Sequence, residues 1–219
     1  MSVVYLLVEG QTEEQFVKHV LVEHYAQQGL YLTPIIAETS PRHRGGVKSY
    51  LSVKRQIERL CKQRADVKVT TIFDLYALPN SFPGKEDPAY TAIQVGKSKA
   101  EYLEAKMAHD INMRNFIPHF LVHEFEALLL ADLDKFEKWM DVRQMREALR
   151  SSIGATAPED VNDNPHTAPS KRILAVWPNY DKIGNGIAIA KTIGLSAMRE
   201  ACPHFHDWLD KMDALIPRE

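Results

Sequence analysis

Val3-Val4-Tyr5-Leu6-Leu7-Val8 runs directly into Glu9-Gly10. The pattern recurs twice. Val67 to Phe73 stops at Asp74, and Phe116 to Val122 stops at His123-Glu124-Phe125-Glu126. Short runs rich in Val, Ile and Phe read as buried strands. Ligands of open α/β sheets sit outside the carboxyl ends of the strands. Parallel neighbours ending in this way would bring at least three carboxylates to one crevice. Carboxylates so crowded repel one another unless a positive charge lies between them, which a hard divalent cation supplies. The pattern therefore predicts a Mg²⁺ (or Mn²⁺) site, with Glu9, Asp74, Glu124 and Glu126 as candidate ligands.

Between these runs the periodicity is helical. Thr12 with Gln15 reads as a capping box, and Glu13 and Glu14 suit the positive end of the helix that follows. A second strand is predicted over Tyr31 to Ala37, then a helix over Val47 to Arg64. Leu78 to Pro88, with three prolines and a glycine, reads as a rigid loop over a strand end. A helix over Thr91 to Asn112 follows. Pro118 puts the fourth strand at an outer position, and a helical pattern runs on from Glu124 to Arg150. This alternation predicts an α/β fold: a mainly parallel four-stranded sheet flanked by helices over residues 1–132, with a helical C-terminal extension over 133–219.

The 219 residues carry 45% hydrophobic and 26% charged side chains, ordinary for a globular protein. No apolar stretch reaches the roughly 20 residues of a membrane helix, and the first run lacks the basic lead of a signal peptide. Two cysteines make no disulfide framework, so a reducing cytoplasm is the expected setting. A net charge of −2 excludes an all-over basic coat for nucleic acid and leaves local patches to be sought. Arg42, His43 and Arg44 lie on a loop after the second strand, with Lys54, Arg55 and Arg59 on the next helix. Lys171, Arg172 and Lys182 stand near Trp177 and Tyr180. Of these, Arg44, Lys171 and Arg172 are candidate contacts to nucleic-acid phosphates, with the backbone of Gly10 beside them. Lys182 is a candidate for stabilising a pentavalent phosphate.

Three other motifs fail on spacing. His123-Glu124 would need a second histidine at 127, where Ala stands. Cys202-Pro203-His204-Phe205-His206 lacks a fourth zinc ligand and reads as the start of a packed helix. Gly184-Asn185-Gly186 has Ala190 where a phosphate-binding Walker loop needs Gly.

A strand ending in Glu9-Gly10, a helix, and a later strand ending in Asp74 resembles the Toprim fold of topoisomerases, primases and overcoming-lysogenisation-defect nucleases. More closely, the chain resembles a bacterial family of uncharacterised Toprim-like proteins, a domain of unknown function. The segments that carry this likeness are Val8 to Glu13, Phe73 to Pro79 with Phe82-Pro83-Gly84, His123 to Leu129, Pro169 to Arg172 and Cys202 to Phe205. The resemblance implies a Mg²⁺ site with Glu9 as acid or base and Asp74 as ligand. It also implies phosphoryl transfer or phosphodiester hydrolysis on DNA or RNA, and a partner ATPase of the ABC/SMC type in defence against phage. Toprim enzymes carry Asp-x-Asp, whereas here Tyr76 takes the second position, and Glu124 or Glu126 is expected to replace the missing carboxylate. The competing reading is a non-catalytic binding or regulatory module.

Overall fold

The computed structural model describes residues 2–40, 43–44, 46–64, 66–76, 78–137, 143–161 and 166–217. Strands β1 (Ser2–Val8), β2 (Leu30–Ile36) and β5 (Lys68–Asp74) carry the predicted centre of the sheet. β1 pairs in parallel with β2 on one side and β5 on the other, so that Val8 lies level with both Ile36 and Ile72. A two-stranded hairpin, β3 (Glu38–Ser40) with β4 (His43–Arg44), stands apart from the sheet.

The fourth strand departs from expectation. It is not continuous from Phe116 to Val122 but consists of β6 (Phe116–Ile117) and β7 (Phe120–Leu121), each parallel to β5. The break falls at Pro118-His119, where proline has no N–H to give to a ladder. The outer position predicted from Pro118 holds, since β6 pairs only with β5 in the order β2-β1-β5-β6.

This order fixes where a ligand crevice opens. From β1 the chain crosses outward to β2, then returns to the opposite side of β1 for β5 and continues outward to β6. The winding therefore reverses between β1 and β5, and the crevice of a doubly wound sheet lies outside the carboxyl ends of those two strands. Glu9 and Asp74 stand there.

Alternation along the strands divides the core between the two faces. Val4, Leu6 and Val8 of β1, with Ile72, pack against α1 (Gln11–Phe16), the π turn Val17–Leu21 and α2 (Val22–Ala26). Leu7, Val69 and Phe73 pack against α3 (Tyr50–Gln63) and against α5 (Gly96–Ile111), which follows the short α4 (Pro88–Ala92). The C-terminal helices join the first face. They are α6 (Glu126–Leu129), α7 (Arg143–Ile153), α8 (Pro169–Val176), α9 (Gly184–Ala201) and α10 (Pro203–Asp213). Phe205, Trp208 and Leu209 of α10 are buried in the same cluster as Val4 and Phe16.

Helix limits differ from expectation in several places: α3 begins at Tyr50 and not at Val47, and the run from Thr91 to Asn112 is the end of α4, a break and α5. α1 begins at Gln11 with Gly10 as its N-cap, so Glu13 returns to the Gly10 N–H at 2.9 Å and no Thr12–Gln15 box forms. The pattern from Glu124 to Arg150 yields α6, a 3₁₀ turn over Leu133–Phe136 and α7. Among the described residues no helix is long and apolar enough to cross a membrane.

Candidate functional site

Glu9 latches β1 to β5. Its N–H donates to the Ile72 carbonyl at 3.2 Å, and its Oε2 accepts the Asp74 N–H at 3.2 Å. Its own carbonyl accepts the Gly46 N–H at 3.0 Å, which ties in the end of the hairpin loop. Asp74 in turn holds the next segment, because its Oδ1 accepts the Phe125 N–H at 3.0 Å.

That segment is brought over the strand ends by His123. The Tyr76 N–H still donates to the His123 carbonyl at 2.7 Å, in the manner of a ladder. His123 then takes φ of 65°, a left-handed conformation uncommon outside glycine that costs on the order of 1–3 kcal/mol. The chain turns there, and Glu126 opens α6 with its side chain fully buried. Glu13, on the first turn of α1, is 4% exposed.

Lys182 reaches into this group from the turn before α9. Its Nζ lies 3.0 Å from Glu126 Oε2 and 3.7 Å from Asp74 Oδ2, within ion-pair range of both. Tyr180, in the same turn, donates its hydroxyl to Glu126 Oε1 at 3.4 Å. Gly186 makes this approach possible, because a Cβ there would lie 2.6 Å from the Tyr180 hydroxyl.

Charge is unbalanced in this group. Burial, and then the charge of Glu13, raises the pKa of Glu9 above its ordinary value. Burial raises Glu13 as well. Asp74 is raised well above the usual range by burial, then by the charge of Glu13, with Glu9 and Glu126 adding to it. Glu126 is pushed up to about 7, chiefly by burial. Burial works against the charge of Lys182, but Asp74, Glu126 and Glu13 outweigh it and raise its pKa. One ammonium thus faces four carboxylates. The group is all oxygen with an excess of negative charge, but among the described residues no three of its ligand atoms lie within 4.8 Å of one another, a spacing met only by Glu104, His119 and His204.

The remaining candidates are distributed differently. Glu124 is buried beside Glu126, and its Oε1 accepts the Ser170 N–H at 2.6 Å at the start of α8. Arg172 donates its Nε to the Thr167 carbonyl at 2.7 Å and a second nitrogen to the Ser152 carbonyl, while Lys171 is exposed on α8. Gly10 lies in extended backbone as the N-cap of α1. The backbone of Arg44 pairs with Glu38 in β4, and its side chain lies outside the described residues. Arg42 lies outside them too. Lys54 is paired with Asp110 at 2.9 Å. Arg55 and Arg59 line a surface groove of about 400 Å³ along α3, with Ser49 and Glu38.

A second buried cluster escaped the reading of the sequence. Glu104 of α5, His119 between β6 and β7, and His204 of α10 bring ligand-type atoms within 4.8 Å of one another, a grouping able to hold a metal ion. Burial opposes the charge of Glu104, but the two imidazoles hold its pKa down to about 2. Burial depresses His119 to about 4. His204 is raised: burial works against its charge, but Glu104 outweighs it. No spacing rule announces such a set, since Glu104 and His204 are 100 positions apart. Locally, Pro203 does open a packed helix, as expected for that motif.

No curated protein and no solved structure matches this chain significantly, so the Toprim resemblance has no support from that side. A family profile covers residues 8–213, from the end of β1 through α10, and by that match the chain belongs to DUF4276, a domain of unknown function.

Proposed function

We propose that this protein is a divalent-metal-dependent phosphoryl-transfer enzyme that cleaves phosphodiester bonds in nucleic acid. The observation that carries the reading is the convergence of Glu9, Glu13, Asp74 and Glu126 around Lys182, at the point where the winding of the sheet reverses. Asp74, Glu126 and Glu9 would hold the cation. A bound Mg²⁺ or Mn²⁺ supplies charge neutralisation at the phosphate and a lowered pKa for its water.

The chain's own groups have separate tasks in this account. Glu9, whose pKa burial and then the charge of Glu13 raise, is the candidate acid or base whenever it is not a ligand to the cation. Lys182 directs its ammonium to the oxygens on which charge develops. The Gly10 N–H is taken by Glu13 Oε2 at 2.9 Å, so a phosphate at the start of α1 displaces that carboxylate. Lys171, Arg55 and Arg59 are exposed and serve to hold the polynucleotide backbone, with the Arg44 side chain as a further candidate. A partner ATPase of the ABC/SMC type, and a role in phage defence, rest on the Toprim resemblance alone. Co-purification from the native host is their test.

A second reading is a non-catalytic module that binds nucleic acid or a nucleotide. It is favoured by Tyr76 at the position of a second aspartate and by the pairing of Lys182 with two of the acids. Nuclease assays on single- and double-stranded DNA and RNA with Mg²⁺ or Mn²⁺ separate the two. The enzyme reading expects cleavage by the wild type and its loss, by a hundredfold or more, in Glu9→Ala and Asp74→Ala. Binding without cleavage supports the module, and cleavage that survives both substitutions removes the catalytic assignment.

A further inference from the structure

We infer that Glu104, His119 and His204 form a zinc site, separate from the carboxylates at the strand ends, that ties α5, the broken edge strand and α10 together.

One of the two spacings to Glu104 already matches a tetrahedral ion, and the other needs His204 to give up its hydrogen bond and withdraw by about half an ångström. Two ligands each about 2.0–2.1 Å from zinc at the tetrahedral angle stand roughly 3.4 Å apart. His204 Nε2 lies 2.8 Å from Glu104 Oε1, and His119 Nδ1 lies 3.4 Å from the same oxygen. All three residues are nearly enclosed, with exposures of 6%, 1% and 3% in the order Glu104, His119, His204. Two imidazoles with one carboxylate favour zinc over magnesium, because imidazole is a poor ligand for the harder ion. The fourth place falls to a water or to the second oxygen of Glu104.

A hydrogen-bonded triad without metal is the competing explanation, and His119 argues against it. A carboxylate merely satisfied by two imidazoles would have both rings aligned to donate. His204 Nε2 is so aligned, but neither ring nitrogen of His119 makes a hydrogen bond despite complete burial. A buried ring nitrogen without a partner is costly, and a metal bond at Nδ1 removes that cost for one of the two.

The surroundings hold the three residues in place, as the outer shell of a metal site does. Both backbone groups of His119 are pinned by Thr71: the N–H donates to Oγ1 at 2.9 Å, and the hydroxyl donates to the carbonyl at 2.8 Å. The His119 ring stacks on Trp208, with centroids 4.7 Å apart, and the indole N–H is held by Thr70 Oγ1 at 3.0 Å. Glu159 accepts the backbone N–H groups of His204 and Phe205 at 2.7 and 3.0 Å, which fixes the start of α10. Thr71 precedes Asp74 by three residues on β5, which places this anchor roughly 10 Å along the strand from the crevice. The two sites therefore stand or fall separately.

The test is titration of the chelator-stripped full chain with Zn²⁺ alone, followed by calorimetry and thermal melting, with Co²⁺ as a spectroscopic probe. The inference expects one Zn²⁺ per chain, a raised melting temperature, and the intense visible absorption of four-coordinate Co²⁺. Glu104→Gln and His204→Gln, checked for folding by circular dichroism, should each weaken zinc more than tenfold, while Asp74→Asn leaves it unchanged. Failure of the wild type to take up zinc overturns the inference, as does uptake that is indifferent to the first two substitutions or lost in the third. Should either variant not fold, the wild-type Co²⁺ spectrum decides: a four-coordinate spectrum supports the site, and its absence rejects it.

Discussion

Lys182 is the lysine paired with Asp74 and Glu126 at the strand ends, and its removal has a definite sign. Breaking a fully buried ion pair costs about 3–5 kcal/mol, but the Lys182 side chain is 36% exposed, so about 1–3 kcal/mol is expected. Lys182→Met should lose that much stability in chelator, read from urea unfolding. It should then show a larger rise in melting temperature with Mg²⁺ than the wild type, because lysine and cation neutralise the same charges. A smaller rise would mean that they do not. At this scale the sequence was partly legible. Glu9, Asp74 and Glu126 stand out because each follows a strand, so a one-dimensional pattern places them at one edge. Glu13 reads only as a residue favoured by the helix dipole, because its role depends on a fold-back to the Gly10 N–H. Glu104, His119 and His204 leave no pattern, since tertiary packing alone brings them together.

Strands were legible and their interruptions were not. β1 and β5 follow the apolar runs nearly to the residue, whereas the fourth run is split by a proline whose lost ladder bond the pattern could not weigh. Helix ends suffered for a related reason. Caps are set by which backbone N–H groups lack partners, and Gly10 serves as an N-cap with no side chain to announce it. Gly96 lies inside the helix expected over Thr91 to Asn112, and the structure begins α5 there and requires a glycine. A Cβ there would sit 2.5 Å from the Glu159 carbonyl oxygen and 2.6 Å from Val122 Cγ1. Gly96→Ala should therefore destabilise the protein by about 1–3 kcal/mol in chemical unfolding, against the slight gain that alanine brings to an exposed helix. An unchanged midpoint would show that α5 shifts freely against the 3₁₀ turn that carries Glu159.

For the whole molecule, the buried acids make stability depend on pH. The pKa of Glu126 rises from an ordinary value near 4.5 to about 7 on folding, so the folded protein binds its proton more tightly than the unfolded chain. The stability this adds is fully present below about 4.5 and is lost as pH climbs through about 7. Glu9, Glu13 and Asp74 shift in the same direction. In chelator the melting temperature should fall between pH 6 and pH 8, by an amount equivalent to about 1–3 kcal/mol. Glu126→Gln, which mimics the neutral acid, should flatten the slope, and an equally steep slope in that variant would remove Glu126 as its cause. The α/β class, the parallel sheet and the edge on which the acids gather could be read from strand endings alone. The reversal of winding between β1 and β5, which makes that edge a crevice, required the topology. The central claim is that Glu9 after β1, Asp74 at the end of β5 and Glu126 of α6 share one divalent cation. Its most direct test is a Mn²⁺ titration followed by electron paramagnetic resonance on wild type, Glu9→Gln, Asp74→Asn and Glu126→Gln, each shown to be folded. Saturable binding by the wild type, weakened more than tenfold in all three variants, is the predicted result. Binding that is absent from the wild type, or unchanged in Asp74→Asn, would contradict it.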